Sequence, residues 1–402
     1  MKAEPKIKTQ IQQQFEGMRD KKDLLNLLTA ARNQLYGKTC EPFELKVLTY
    51  YANPEICRKR YRTFSITKKS GGKRTINTPV KGLNSLLKAL NFVLQEISVP
   101  HKAAFGFVTS KSIVDNAKLH VGRKYVYNID LSDFFHSFDR NQVKLAFMYE
   151  PFNLHGEREP LAFLLACLCT HPLEINSEIK TVLPQGSPTS PTLTNILCKK
   201  LDRRLTGLAN RFGLTYSRYA DDITFSADYN VFNKEDFLTE LRRIIEQDQK
   251  LVVNPRKTRL QNNSYRQEAT GLIVNEKVNV RRRYVKQLRM WLSYWEKYGY
   301  HNARKIFLRD YKKNKGHLME KTPKFSEALR GKLEFLRMVR GDGDILYRKL
   351  KRRFERLEKL NATTSSLGAI SELELVIEKI LNKGVLEGID FYSNIKRLSH
   401  DG

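Results

Sequence analysis

The chain has 402 residues, of which 41% are hydrophobic and 10% aromatic, and it carries a formal net charge of +29. This hydrophobic content excludes a disordered chain, and this length favours two or three subdomains over a single compact core. So large a positive excess indicates a polyanionic partner, because basic side chains that bind phosphates release condensed counterions.

Membrane and export signals are not apparent in the sequence. The longest apolar run, Leu161 to Cys169, is too short to span a bilayer, and the first residues lack the apolar core of a signal peptide. Because neither terminus shows a basic amphipathic anchor or a lipidation motif, we expect a cytoplasmic protein without a membrane partner. The five cysteines are scattered, with only His171 close to a pair of them, which favours buried thiols over a zinc site.

The first third of the chain predicts helices and one β-hairpin. Residues 1–60 carry apolar side chains at helical spacing and predict a helical lead-in. Two arms, Tyr61–Thr67 and Lys73–Thr78, alternate with period two around the basic tip Lys68–Gly72, as in a hairpin. The pattern from Leu83 to Ile97 predicts an amphipathic helix.

The middle of the chain predicts strands that end in carboxylates. A short helix from about Ser112 to His120 precedes an apolar strand that contains Asp130, and the stretch from Gln142 to Cys169 is largely helical. Proline and glycine predict a loop at Pro184–Pro188. Further elements are predicted as a helix at Ser190–Phe212 capped by Ser190, a hairpin with Asp221 and Asp222 at its tip, a helix at Lys234–Gln249, and short strands at Leu251–Val253 and Gly271–Val274.

These carboxylates form the first candidate site. Paired aspartates on a turn are often only solvent-exposed turn residues. However, Asp130 at the end of one strand and Asp221–Asp222 on a hairpin can converge on two divalent cations, which would clamp the oxygens of a phosphoryl transfer. Three carboxylates placed close together repel one another unless cations are bound. The pattern therefore favours a two-metal nucleotidyl transferase over an acidic turn.

The same motifs resemble those of the reverse transcriptases. The Tyr219-Ala220-Asp221-Asp222 tip, the Asp130 strand, and the loop Leu183–Pro191 between them stand in the order found in that family. The resemblance covers about residues 60 to 350. It implies an α+β right-hand polymerase, with fingers and palm built from an antiparallel sheet and helices, and an α-helical thumb.

The resemblance also implies a nucleotide site and two metal ions. Asp130, Asp221 and Asp222 would be catalytic and would bind two Mg²⁺, or Mn²⁺ instead, with the Leu131 backbone as a further ligand. Phe135 matches the steric gate that excludes a ribose 2′-OH and so selects deoxynucleoside triphosphates. The other nucleotide-binding candidates are Lys73, Arg74, Ser132, Asp133, Phe134, Gln185, Gly186, Ala220 and Lys257, the last matching a lysine near the pyrophosphate leaving group.

From Arg281 the chain becomes strongly basic. Residues 281–360 contain 25 basic and 9 acidic residues, so they supply 16 of the 29 excess charges. Aromatic residues interleave with these charges, which favours a nucleic-acid groove over a solvated helical face. In the resemblance this segment is the thumb. The nucleic-acid-binding candidates are Asn116, His120, Tyr219, Thr270, Gly271, Arg281, Arg282, Arg283, Lys286, Arg289, Trp291 and Trp295.

Three features resemble the bacterial retron reverse transcriptases in particular. Asn116-Ala117-Lys118-Leu119-His120 is similar to their Asn-Ala-x-x-His element, although His120 also fits a helix-end histidine that packs locally. Ala269-Thr270-Gly271 is similar to their Val-Thr-Gly signature, with alanine in place of valine. The chain ends soon after the thumb, without room for an RNase H domain or an endonuclease, and Leu329–Gly341 also resembles the thumb sequence of retron and intron relatives.

Retron membership implies a specific product and specific partners. A structured noncoding RNA would serve as template and primer, and synthesis from a guanosine 2′-OH would leave a branched RNA–DNA product in antiphage defence with an effector protein. The alternatives are another defence-associated reverse transcriptase with a different RNA, and a non-catalytic RNA-binding scaffold with this fold. We expect the chain to divide into a helical lead-in (1–60), fingers and palm (61–280), thumb (281–360) and a helical extension of unknown role (361–402).

Overall fold

The computed structural model of the chain describes residues 5–67, 72–315 and 322–361, with isolated positions at 380, 387, 389 and 392. The chain forms two compact units, Met1–Asn279 and Val280–Gly402. The predicted basic hairpin tip and the predicted C-terminal extension lie largely outside the described residues. The described helices include none whose apolar stretch would reach from one face of a bilayer to the other.

The first unit begins with helices that pack around one central helix. The elements up to this helix are α1 (Pro5–Gly17), α2 (Lys21–Tyr36), α3 (Leu45–Ala52), β1 (Tyr61–Thr67), β2 (Lys73–Pro79) and α4 (Lys81–Ile97). Helix α2 starts at a capping box in which Asp20 and Asp23 accept each other's backbone N–H groups. The apolar face of α4 is buried against α1, α2 and α3, so the predicted lead-in belongs to the same hydrophobic core as the following residues.

Strands β1 and β2 form the predicted antiparallel hairpin, which is one pair longer than expected. The register runs from Tyr61 opposite Pro79 to Thr67 opposite Lys73. The base of the hairpin is fixed by Arg60, a fully buried cation that donates to the backbone carbonyls of Tyr51, Cys167 and Thr170. These acceptors connect the hairpin to two separate helices of the same unit.

The palm of the first unit contains an antiparallel sheet with β3 at its centre. Its elements are α5 (Ile113–Lys118), β3 (Tyr125–Ser132), α6 (Arg140–Met148), α7 (Glu159–Cys169), β4 (His171–Ile175), β5 (Glu178–Val182), α8 (Ser190–Leu197), α9 (Lys199–Arg211), β6 (Thr215–Tyr219), β7 (Asp222–Ala227), α10 (Glu235–Arg242), β8 (Val252–Val253), β9 (Arg259–Asn262), β10 (Glu268–Ala269) and β11 (Leu272–Ile273). The sheet order is β6-β7-β3-β8, with β9 also paired to β3. Helix α9 packs on β6, and its apolar face completes the core beneath the sheet.

Three predicted helices differ from the structure. The helix predicted at Ser190–Phe212 breaks at Cys198, and the Ser190 hydroxyl donates to the Pro184 carbonyl rather than capping a helix. The stretch from Gln142 to Cys169 is two helices joined by a loop and a short 3₁₀ turn. Helix α10 continues as a π-helical turn at Arg243–Asp248.

The second unit is helical, with an aromatic core. Its elements are α11 (Arg282–Lys315), α12 (Phe325–Arg340) and a helix over 345–361. Helix α11 is interrupted at Gly299, where φ is 73° and ψ is 171°. Trp291, Trp295 and Phe307 pack around Phe325, with ring centroids between 5.3 and 6.4 Å from its own. These rings supply the apolar burial that a small helical unit needs in order to fold.

Candidate active site

The register of the palm sheet brings the three predicted carboxylates together. Asp130 of β3 lies directly opposite Asp222 of β7. Tyr219 and Asp222 form the last pair of the β6–β7 hairpin, so Ala220 and Asp221 are a two-residue turn. The backbone N–H of Leu131 donates to the Asp221 carbonyl across 3.1 Å, which ties this turn to the neighbouring strand. The turn and both strands therefore present carboxylates at one end of the sheet.

Burial and mutual repulsion disfavour ionisation of the two turn carboxylates. Burial, together with the charges of Asp221 and Asp130, raises the pKa of Asp222 to about 6. Burial and Asp130 also raise the pKa of Asp221, whereas Lys257 and Arg74 act to lower it. The site is therefore an acidic pocket that is stabilised by positive charge.

One side-chain cation already neutralises part of this pocket. The Lys257 Nζ atom lies 2.8 and 2.9 Å from the two carboxylate oxygens of Asp130. The Asn254 Nδ2 atom donates to Asp130 Oδ2 across 3.2 Å, and the Asn254 backbone N–H donates to the Asp130 carbonyl. Lys257 was predicted to lie near the site, and the structure places it directly on one of the proposed metal ligands.

The three carboxylates fit divalent cations by their chemistry. Among the described residues, no group of three His, Cys, Asp or Glu side chains is already arranged around a common metal position. The donors are nevertheless the hard oxygens that Mg²⁺ prefers, and the raised pKa values of Asp221 and Asp222 indicate that added positive charge would stabilise these two carboxylates. Asp130, Asp221, Asp222 and the Leu131 backbone remain the residues that would hold the ions.

The β1–β2 hairpin docks on the proline- and glycine-rich loop. The Asn77 N–H donates to the Gln185 carbonyl across 2.8 Å. Gly186 has a φ of 119°, and a Cβ atom at this position would lie 2.8 Å from the Asn77 carbonyl oxygen. A side chain at Gly186 would therefore displace the hairpin. Lys73 and Arg74 are exposed on β2 in this hairpin.

The two phenylalanines after β3 have different surroundings. Phe134 is buried and packs edge-on against Phe138, with ring centroids 5.5 Å apart. Phe135 is only half-buried, and its ring lies 6.1 Å from that of Phe107, an exposed residue with a φ of 61°. Asp133 between the strand and these rings has a φ of 46°, so the backbone turns sharply where the triphosphate was predicted to bind.

In the element Asn116–His120, the two residues predicted to bind RNA, Asn116 and His120, are buried. His120 is fully buried, and its Nδ1 and Nε2 atoms lie 2.7 Å from the hydroxyls of Ser226 and Ser217, respectively, on the β6–β7 hairpin. Burial, assisted by the charge of Arg123, lowers the pKa of His120 to about 3, so its ring is neutral. Asn116 is also fully buried. Both side chains are inaccessible in this structure, and His120 packs locally, as the sequence also allowed. Direct contact of either residue with RNA stays a prediction.

The other predicted nucleic-acid contacts divide by exposure. The tryptophans Trp291 and Trp295 are 5% and 4% exposed, and both rings pack in the aromatic core of the second unit, so their predicted binding of nucleic acid stays a prediction. The remaining candidates lie at the surface or partly so, namely Tyr219, Thr270, Gly271, Arg281, Arg282, Arg283, Lys286 and Arg289. Thr270 Oγ1 donates to the Ile113 carbonyl, which ties the Ala269-Thr270-Gly271 turn to α5.

A family model confirms the resemblance seen in the motifs. The model described as reverse transcriptase (RNA-dependent DNA polymerase) matches residues 66–286, which is just over half of the chain. The chain belongs to the reverse transcriptase family. Together with the antiparallel sheet and helices of the structure, this match confirms the predicted α+β polymerase fold.

Curated relatives of this reverse transcriptase are retron enzymes. The retron Mx65 reverse transcriptase of Myxococcus xanthus is 36% identical over 258 residues, or 61% of this chain and 59% of the relative. The retron Mx162 reverse transcriptase of the same organism is 37% identical over 235 residues, or 54% of this chain and 47% of the relative. The retron Ec86 reverse transcriptase of Escherichia coli is 35% identical over 251 residues, or 61% of this chain and 71% of the relative. The chain thus spans about half of the first two relatives, and the prediction of a retron-type reverse transcriptase is confirmed.

Several residues that hold the reverse transcriptase site were not predicted. Asp202 on α9 and Arg218 on β6 form a fully buried ion pair beneath the turn, and Asn195 on α8 contacts both Arg218 and Gly106. The sequence contains a pattern that could have predicted two of these residues, Asp202 and Arg218. Asp202 stands on the apolar face of an amphipathic helix, and Arg218 stands two residues after buried Tyr216 on one strand face. Buried charges of opposite sign on neighbouring elements predict such a pair.

We predict that Asp222→Asn stabilises the metal-free protein in a pH-dependent way. Because the pKa of Asp222 is higher in the folded protein than in the unfolded chain, the folded state binds more protons between about pH 4 and pH 6, and the free energy of unfolding falls across this range. Removing the charge should therefore stabilise the protein by about 2 to 3 kcal/mol at pH 7, and by less than about 1 kcal/mol at pH 4. Urea unfolding in the presence of EDTA at both pH values measures this difference.

The matched control is Asp228→Asn, which lies directly after the same strand and outside the site. Asp228 pairs with Arg123 at the surface, which lowers its pKa, so its loss should give no stabilisation at pH 7. An equal effect of Asp222→Asn at both pH values would contradict the electrostatic account of the site.

Proposed function

We propose that the chain is an RNA-directed DNA polymerase of the retron type. The observation that carries this proposal is the strand register that places Asp130 opposite Asp222, with Asp221 on the adjoining turn. A two-metal nucleotidyl transfer requires carboxylates that converge in this way. The chain also belongs to the reverse transcriptase family, whose description is RNA-dependent DNA polymerase.

The metal ions of this site would be two Mg²⁺, with Mn²⁺ as an alternative. Asp130, Asp221, Asp222 and the Leu131 backbone would hold them. When bound, the ions would polarise phosphate oxygens and stabilise the attacking and leaving oxygens of an in-line displacement. The contribution of the protein is to fix these carboxylates in place and to bring the nucleotide triphosphate into line with them.

The incoming deoxynucleoside triphosphate would be bound by the residues that surround the acidic pocket. Lys73 and Arg74 would contact its phosphates from the β1–β2 hairpin, and Arg74 already acts electrostatically on Asp221. Backbone N–H groups of Ser132 to Phe134 would bind the triphosphate at the sharp turn after β3. Lys257 would move from Asp130 to the pyrophosphate oxygens once Asp130 binds a metal ion, which would preserve charge balance at both positions.

The template and the primer would be held by the loop, the turn and the second unit. Gln185, Gly186 and Ala220 would lie beneath the nucleotide, where a side chain at Gly186 has no room. The basic residues Arg282, Lys286 and Arg289 recur at helical spacing on α11 and are exposed, so they form one positive face. This face, together with Arg281 and Arg283, would bind the phosphate backbone of an RNA–DNA duplex.

The finer part of the proposal concerns product and role. We propose that a structured noncoding RNA serves as template and primer, that the product is branched RNA-linked single-stranded DNA, and that the enzyme acts in bacterial antiphage defence with an effector protein in the cytoplasm. The relatives that carry the name of retron enzymes support this choice. Another defence-associated reverse transcriptase without a branched product is the alternative; a non-catalytic scaffold is disfavoured by the intact carboxylate triad.

Asp221→Asn should abolish DNA synthesis while leaving RNA bound. With an RNA template and an annealed DNA primer, the variant should extend the primer about a thousandfold more slowly than the wild type, because one metal ligand is lost. The affinity for RNA should stay within about twofold, because the phosphate contacts lie elsewhere. Single-turnover primer extension and filter binding measure the two quantities, with Asp228→Asn as the control. Tight RNA binding by a wild type that makes no DNA would favour the scaffold.

Phe135→Ala should weaken discrimination against ribonucleotides. If the half-buried ring blocks the space of a ribose 2′-OH, its removal should raise incorporation of ribonucleotides relative to deoxynucleotides by about tenfold or more. The ratio of the two incorporation efficiencies is measured with one template. Phe163→Ala, which removes an exposed phenylalanine on α7, is the matched control and should leave the ratio unchanged. An unchanged ratio for Phe135→Ala would contradict the gate assignment.

A further inference from the structure

A single buried guanidinium lies directly beneath the catalytic turn. Arg218 is fully buried on β6, and its Nε and Nη2 atoms donate to the two carboxylate oxygens of Asp202, each across 2.7 Å. Its Nη1 atom donates to the backbone carbonyl of Ala220 across 3.1 Å, and Nη2 also donates to Asn195 Oδ1. Arg218 therefore joins helix α8, helix α9 and the turn through one planar group.

Burying the Arg218–Asp202 ion pair costs desolvation free energy, so its presence requires a physical reason. Replacing a buried ion pair with apolar residues of similar volume is often neutral or stabilising. Here Asp202 also accepts a hydrogen bond from the Tyr216 hydroxyl at 2.7 Å, so the carboxylate is firmly fixed. Although burial opposes its charge, Cys198 and Asp202 raise the pKa of Arg218 above its ordinary value, so the group stays charged. Stability alone does not require such an arrangement.

The turn above Arg218 adopts a conformation that needs support. Ala220 is buried and has a φ of 58°, a left-handed backbone conformation that is unfavourable for an L-residue other than glycine. On its other side, Gly106 approaches so closely that a Cβ atom there would lie 2.4 Å from the Ala220 nitrogen. Asn195 Nδ2 donates to the Gly106 carbonyl across 2.9 Å, so Asn195 contacts both sides of the clamp. Ala220, which leads into Asp221, is thus contacted at its carbonyl by Arg218 and closely approached at its nitrogen by Gly106.

We propose that Arg218 is a positioning residue, which holds the Ala220–Asp221 turn so that the Asp221 carboxylate is aligned with Asp130 to bind divalent cations. Asp202 fixes the guanidinium in the plane from which Nη1 reaches the Ala220 carbonyl, and Asn195 completes the support. The inference rests on the proposed function, because it assigns a role at the same site.

The test replaces the pair by apolar residues of similar shape. The double variant Arg218→Met/Asp202→Leu removes both charges together, so that neither remains buried alone, and it should fold. The matched control is Arg204→Met/Asp248→Leu, which removes a second ion pair of α9 that is partly exposed and does not contact the turn. Thermal unfolding and far-UV circular dichroism show that both proteins are folded. If the first double variant fails to fold, Arg218→Lys, which keeps the charge but loses the planar fork, takes its place.

Two readouts separate positioning from a purely structural role. Mn²⁺ binding to the free protein, measured by electron paramagnetic resonance, should weaken at least tenfold in the double variant and stay within twofold in the control. In single-turnover primer extension, the maximal rate should fall at least tenfold, whereas the affinity for the template–primer should stay within twofold. A folded Arg218→Met/Asp202→Leu protein with wild-type Mn²⁺ affinity and rate would overturn the inference. A wild type that binds Mn²⁺ but makes no DNA would overturn the proposed function instead, and the Mn²⁺ titration would still decide the role of Arg218.

Discussion

Three carboxylates held at one end of a sheet repel one another, and the surrounding structure has to withstand this repulsion. The register of β3 against β7 places Asp130 opposite Asp222, and the hairpin turn adds Asp221. Burial also disfavours their charged forms, and burial together with the neighbouring charges raises the pKa of Asp222. The folded protein therefore carries a local electrostatic cost at neutral pH, which is the price of a site prepared for cations.

Three basic side chains and the contacts that fix them offset the repulsion among the carboxylates. Lys257 binds Asp130 from the loop after β8, and the hairpin β1–β2 brings Arg74 near enough to act on Asp221. From below, Arg218 is fixed by Asp202 and donates to the turn. The neutral His120 links β6 to β7 through two serines and adds no charge of its own. These contacts all lie within the first unit, so the acidic site is positioned by one continuous core.

The elements nearest to the site were the most predictable from sequence, because alternation and turn chemistry are local. Such patterns predicted the β6–β7 hairpin, the β1–β2 hairpin and the Asp130 strand. The break at Cys198 was not predicted, because the helical periodicity of the sequence continues through it. Contacts between residues far apart in the sequence were harder to predict. The aromatic residues Trp291 and Trp295 look the same in sequence whether they stack on bases or on Phe325, and only the folded core distinguishes the two. The contacts of His120 with serines about a hundred residues away likewise depend on strand register, which no local pattern encodes.

The most direct measurement is the identity of the nucleic acid that copurifies with the protein from cells carrying its native locus. Separate treatment with RNase and DNase, followed by gel analysis and sequencing across the junction, identifies the product. The account predicts a short single-stranded DNA that is covalently joined to RNA through a 2′ linkage. Protein that carries RNA but no DNA would contradict the polymerase, and DNA without an RNA branch would contradict the retron product while leaving the polymerase in place.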